Sequence, residues 1–150
     1  MRWPQPSDDR GSTLPLIIFY GALSLVLVLL VVAATSLYLE RKRLFTLADG
    51  AALVGAEAYD LERVSVPDAA NDGRPQLELE SSDVSAAVTG YLEQAPTGQF
   101  EGLRVVRAES VDGKSATVAL SAQWRPPVLT LLLPDGLRID VTAVARSVFE

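Results

Sequence analysis

Between Leu14 and Leu39 the chain sets down 26 residues without a charge, LPLIIFYGALSLVLVLLVVAATSLYL. As an α-helix this run extends about 39 Å at about 1.5 Å per residue, more than the roughly 30 Å of hydrocarbon in a bilayer. The pattern predicts one membrane-spanning helix, and no second run of the kind follows. Arg2 and Arg10 precede it and Val32-Ala33-Ala34 has the form of a signal-peptidase site. Its apolar part, Leu14 to Val32 at least, is nevertheless longer than the roughly 7 to 15 residues of a cleaved secretory signal, so a retained anchor is expected.

Past the apolar run the helical pattern continues from Glu40 to about Arg63, with no proline and only Gly50 and Gly55 as weak points. At about 100° per residue, Leu44, Phe45, Leu47, Ala48, Ala51, Ala52, Gly55, Ala56 and Tyr59 gather on one side, while Lys42, Thr46, Asp49, Gly50, Glu57 and Asp60 gather opposite. An amphipathic helix with a small-residue face is predicted. Such a face admits a close neighbour, either the chain's own distal domain or another subunit.

After Val64 the residues Ser65 to Pro75 mix Pro, Gly and Asp and read as a loop. Asp68, Asp72 and Gly73 bear a faint likeness to a calcium loop, but Ala70 takes the third position and Leu79 stands where the closing Glu belongs, so no metal is expected. Gln76 to Glu80 alternates as a short strand, and Ser82-Asp83 opens a helix to about Gln94, with Val84, Val88, Tyr91 and Leu92 on one stripe. Strict alternation follows over Ala116–Trp124 and Leu137–Ala145. Asp112-Gly113, between Leu103–Val111 and Lys114–Arg125, predicts a two-residue hairpin turn. Between Pro126-Pro127 and Pro134 the residues 128–133 are nearly all apolar, either a tucked edge segment or a contact with the membrane surface or a neighbouring subunit.

The predicted fold class is therefore α+β: a single N-terminal transmembrane helix continuing into an amphipathic helix, with a small antiparallel sheet of three or four strands and one short helix. The expected organisation is a short N-terminus (1–13), the transmembrane helix (14–39), a membrane-proximal helix (40–64) and an α+β domain (65–150). The last of these is long enough for one modest core and too short for two.

Composition narrows the function. From Leu44 onward 8 Lys and Arg face 16 Asp and Glu, a balance that repels phosphate backbones and excludes nucleic-acid binding. Cysteine and histidine are both absent, which removes thiolate catalysis, His-based triads and the usual zinc and haem ligand sets. The carboxylates show no acid–base spacing and no Gly-rich loop precedes a Lys-Ser/Thr pair, so neither enzymatic activity nor a cofactor is expected. Arg41, Lys42 and Arg43 after the apolar run nearly balance Arg2, Arg10 and the N-terminus before it, so charge alone leaves the orientation open.

The string from Arg10-Gly11 through the apolar run to Leu37-Tyr38-Leu39-Glu40-Arg41-Lys42-Arg43-Leu44, then Ala48-Asp49-Gly50-Ala51-Ala52-Leu53 and Ala56, resembles the N-terminal region of TadE-like and TadG-like proteins of the tight-adherence (Flp pilus) system. The resemblance implies a bacterial pilin-like assembly protein in the inner membrane, with a cytoplasmic N-terminus and an extracytoplasmic C-terminal domain. Its implied partners are the bilayer and other pilus or secretion proteins, further copies of this chain included.

The implied packing or assembly face is Leu44, Ala48, Ala51, Ala52, Gly55 and Ala56, with Asp49 as an assembly contact. Gly11-Ser12 is the place of a prepilin-peptidase site, but Leu16 stands where such substrates carry Glu, so an uncleaved anchor is expected. The alternative function is a membrane-tethered accessory or sensor domain that binds a small ligand or regulates a partner; it needs a pocket of converging polar groups.

Overall fold

The computed structural model describes residues 13–59, 78–126 and 135–146. Helix α1 (Leu14–Ala56) is followed by α2 (Ser81–Gln94), a 3-10 turn at Thr97–Gln99, and strands β1 (Glu101–Glu109), β2 (Ser115–Trp124) and β3 (Leu137–Arg146). The three strands form one antiparallel sheet in the order β1-β2-β3. The fold is α+β, with one helix among the described residues long and apolar enough to cross a membrane.

α1 runs 43 residues without a break, about 64 Å at about 1.5 Å per residue. Pro15 sits in its first turn, where a missing N–H leaves no bond unmade. The helix ends at Ala56, short of the expected Arg63. The Glu57 N–H still reaches the carbonyls of Leu53 and Val54 at 3.2 Å, after which the chain leaves the helix and the Tyr59 hydroxyl reaches the Lys114 carbonyl at 3.5 Å.

The two halves of α1 meet different surroundings. Leu14 to Val32 carries no buried residue, whereas Ala33, Leu44, Leu47, Ala48, Ala51, Ala52, Gly55 and Ala56 are buried. The distal half packs against β2, β3 and α2, and α2 also leans on β1. Ala and Gly at these positions let the sheet approach the helix backbone. The larger side chains of the core, Leu44, Leu120, Val84, Val88 and Val118, are fully buried, each contributing about 1.5–3 kcal/mol.

The sheet follows the predicted alternation. Ala116, Val118, Leu120, Ala122 and Trp124 of β2, and Ile139, Val141, Ala143 and Ala145 of β3, face the helices. Arg138, Asp140, Thr142 and Val144 point away and are exposed. Ten consecutive residue pairs join β2 to β3 without a shift. β1 differs: its register slips between Glu101 and Arg104 and again between Val105 and Arg107, and Gly102 takes φ +58°. Such bulges break the alternation that a regular strand would show.

Two expectations are corrected here. The β1–β2 connection is Ser110 to Lys114, longer than a two-residue turn, because the Asp112 carboxylate gathers the Lys114 and Ser115 N–H groups at 3.0 and 2.6 Å and the Ser115 hydroxyl at 2.8 Å. Gly113 supplies the positive φ, +65°. Glu78 to Glu80 is no strand; Leu79 is buried and its N–H donates to the Gly113 carbonyl at 2.8 Å, an isolated bond that forms no ladder. The loop at 65–75, its calcium-like residues Asp68, Asp72 and Gly73, and the apolar residues 128–133 lie outside the described residues.

Candidate functional site

α1 above the apolar run offers two surfaces of opposite character. The first is the small-residue face. Leu44, Ala48, Ala51 and Ala52 have no exposed surface, Ala56 has 2%, and all of them pack within the chain itself. At Gly55 an added Cβ would stand 3.2 Å from both Ala116 Cβ and Val84 Cγ1, so β2 and α2 converge on a helix position that has no side chain. Of the two neighbours open to this face from sequence, the chain's own domain occupies it.

The second surface is the exposed stripe that borders it. Phe45 and Leu53 remain 46% and 53% exposed, and Asp49 is exposed midway between them, one helical turn from each. The helical wheel set Phe45 on the packed side; the structure sets it at the open edge, because the sheet covers a narrower arc than the wheel allotted. Gly50 moves the other way: grouped with the polar residues, it lies under the ring of Tyr91 from α2. The exposed trio at i, i+4 and i+8 is legible only once the width of the covered arc is known.

At the foot of the sheet the Trp124 indole N–H donates to the Ser36 hydroxyl at 3.3 Å, joining residues 88 apart in sequence. At the far end of the same strand Ala116 meets Gly55. β2 therefore runs antiparallel to α1. Neither Ser36 nor its bond to Trp124 was foreseen, since no local pattern links them.

Residues 11–58 match the Flp pilus-assembly TadE/G-like family, Tad. The resemblance carried by the N-terminal residues is thus a finding for that segment, which includes all of α1 and stops before α2 and the sheet. No curated protein and no solved structure matches the chain. The Tad match begins at Gly11; Gly11 and Ser12 themselves lie outside the described residues.

Other features are modest. A shallow depression of about 340 Å³ on the helix-free face of the sheet is lined by Val106, Arg107, Ala119, Arg138, Asp140 and Thr142, and Arg138 there is tied to Asp140 at 2.9 Å. A second, of about 380 Å³, follows α1 from Val31 and Val32 through Leu39 to Glu40 and Arg43. Among the described residues no group of three or more His, Cys, Asp or Glu is placed to hold a metal ion.

Proposed function

We propose that this chain is a single-pass component of a TadE/TadG-like pilus or secretion apparatus, acting by structural contact and without chemistry of its own. The Tad match supports the apparatus, and its coincidence with α1 carries the reading: the matched segment is an apolar rod that continues without a break into the core of a folded domain. The domain stands outside the inner membrane and the N-terminus inside, as the family likeness implies.

Because the small-residue face is filled by the chain's own sheet and α2, the exposed apolar surface left for apparatus partners on residues 44–56 of α1 is the stripe Phe45-Asp49-Leu53. Exposed apolar side chains flanking a charge suit a docking contact with an apolar centre and a polar edge. Tagged chain pulled from native membranes is expected to lose its co-purifying pilus proteins in Phe45→Ser/Leu53→Ser and in Asp49→Ala, with membrane level unchanged. Undiminished co-purification in both variants would defeat the assignment of this stripe.

Orientation has its own test, helped by the absence of native cysteine. A single cysteine at exposed Lys114 should label with an impermeant maleimide on spheroplasts, and one at Ser7 should not.

A further inference from the structure

The unpartnered part of α1, Leu14 to Val32, spans about 28 Å at about 1.5 Å per residue, close to the roughly 30 Å of bilayer hydrocarbon. Burial by the chain's own domain starts at Ala33, directly above that length. Ser36 lies about 4.5 Å further up the helix, and the headgroup layer beyond the hydrocarbon is about 5–7 Å thick on each side. The Trp124 indole bonded to Ser36 is held at that same height.

The sheet stands on this point nearly upright. From Ser36 to Gly55 the helix climbs about 28 Å, and from Trp124 to Ala116 the strand covers about 26 Å at about 3.3 Å per residue. Two contacts so nearly equal in spacing along both elements align β2 with α1. The lower end of the sheet consequently comes down to the level of Ser36, presenting Arg125, which is exposed, and Leu137, which is 42% exposed.

We infer that this lower end of the sheet is seated in the phospholipid headgroup layer, making lipid a direct partner of the β-domain as well as of the anchor. The inference rests on the reading of α1 as a membrane span. An apolar Leu137 and the Arg125 guanidinium on one edge match a layer that is apolar below and wet above, while the buried Trp124 indole ties that edge to Ser36. The depression along α1 has the same gradient, from Val31 and Val32 at its base to Glu40 and Arg43 at its top. No anionic lipid is required, since Arg125 is paired with Glu101 at 3.1 Å and Arg138 with Asp140 at 2.9 Å.

The test uses the full chain in zwitterionic phosphatidylcholine vesicles, with one nitroxide on a unique cysteine at Leu137, Arg125 or Val144. Val144 is 61% exposed and lies seven residues along β3, about 23 Å higher. Collision with oxygen relative to a water-soluble nickel chelate is expected to place the Leu137 and Arg125 labels at headgroup depth and the Val144 label in bulk water. If the chain floats with the vesicles but all three labels are equally accessible to nickel, the seating is wrong and the anchor stands. If the chain does not float, the membrane span fails and the seating fails with it.

Discussion

Asp112 does more for the β1–β2 connection than mark a turn. Its carboxylate accepts the backbone N–H of Lys114 and the hydroxyl and N–H of Ser115, and these bonds lower its pKa from 3.8 to about 2. A carboxyl held below its ordinary value stabilises the fold above about pH 3.8, and that contribution disappears as pH falls through about 2. Asp112→Ala is therefore expected to lower the thermal midpoint at pH 7, with the gap to wild type closing below pH 2. A constant gap across that range would show that the carboxylate charge plays no part. The Asp-Gly pair was legible as a turn in sequence, but the reach of the carboxylate to Ser115, which lengthens the connection, was not. Ser36 and Trp124 were likewise invisible as partners, because a single hydrogen bond across 88 residues leaves no local trace.

Between elements, β2 and α2 close together on Gly55, where Ala116 and Val84 stand at 3.2 Å from an added Cβ and Val88 at 3.4 Å. Two opposing effects are separable there. Replacing a mid-helix glycine stabilises the helix by about 1 kcal/mol, while forcing extra volume between packed elements costs about 1–3 kcal/mol. Gly55→Ala should come out near neutral and Gly55→Leu should lose up to about 2 kcal/mol net in detergent unfolding. A stabilised Gly55→Leu would mean that the helix and sheet are not closely packed. β2 and β3 were readable because each has a helix-facing and an open side, and α2 because its valines share one stripe. β1 was predicted with displaced ends, since its two register shifts depend on pairing with β2 that alternation does not encode. Phe45 fell on the wrong side of the wheel for a similar reason: periodicity gives direction around a helix but not the arc that a sheet will cover.

For the molecule as a whole, the distal half of α1 belongs to the folding unit of the sheet. Leu120→Ala, which empties a fully buried site in β2, should cost about 2–5 kcal/mol. Amide exchange is then expected to quicken together in β2, β3 and residues 44–56 of α1, while residues 18–32 stay as slow as before. Unchanged protection of 44–56 would separate the helix from the domain. The long apolar helix and the α+β class were legible because each rests on a local pattern, and the N-terminal residues alone carried the Tad likeness. How the domain meets the helix required the tertiary contacts at both ends of β2.

The direction of the strands limits how copies of this protein can join. β2 descends toward Ser36, so β1 and β3 ascend with α1. For two copies anchored alike in one bilayer, joining β3 to β3 as antiparallel neighbours needs a two-fold axis perpendicular to the sheet. That rotation would point the second anchor away from the lipid. A shared sheet must instead use parallel neighbours, such as β3 of one copy beside β1 of the next, a head-to-tail contact that leaves an unused edge at each end of any open row. The membrane thus acts as a selection rule on symmetry, forbidding the closed antiparallel edge pair and leaving open-ended growth to the same two edges.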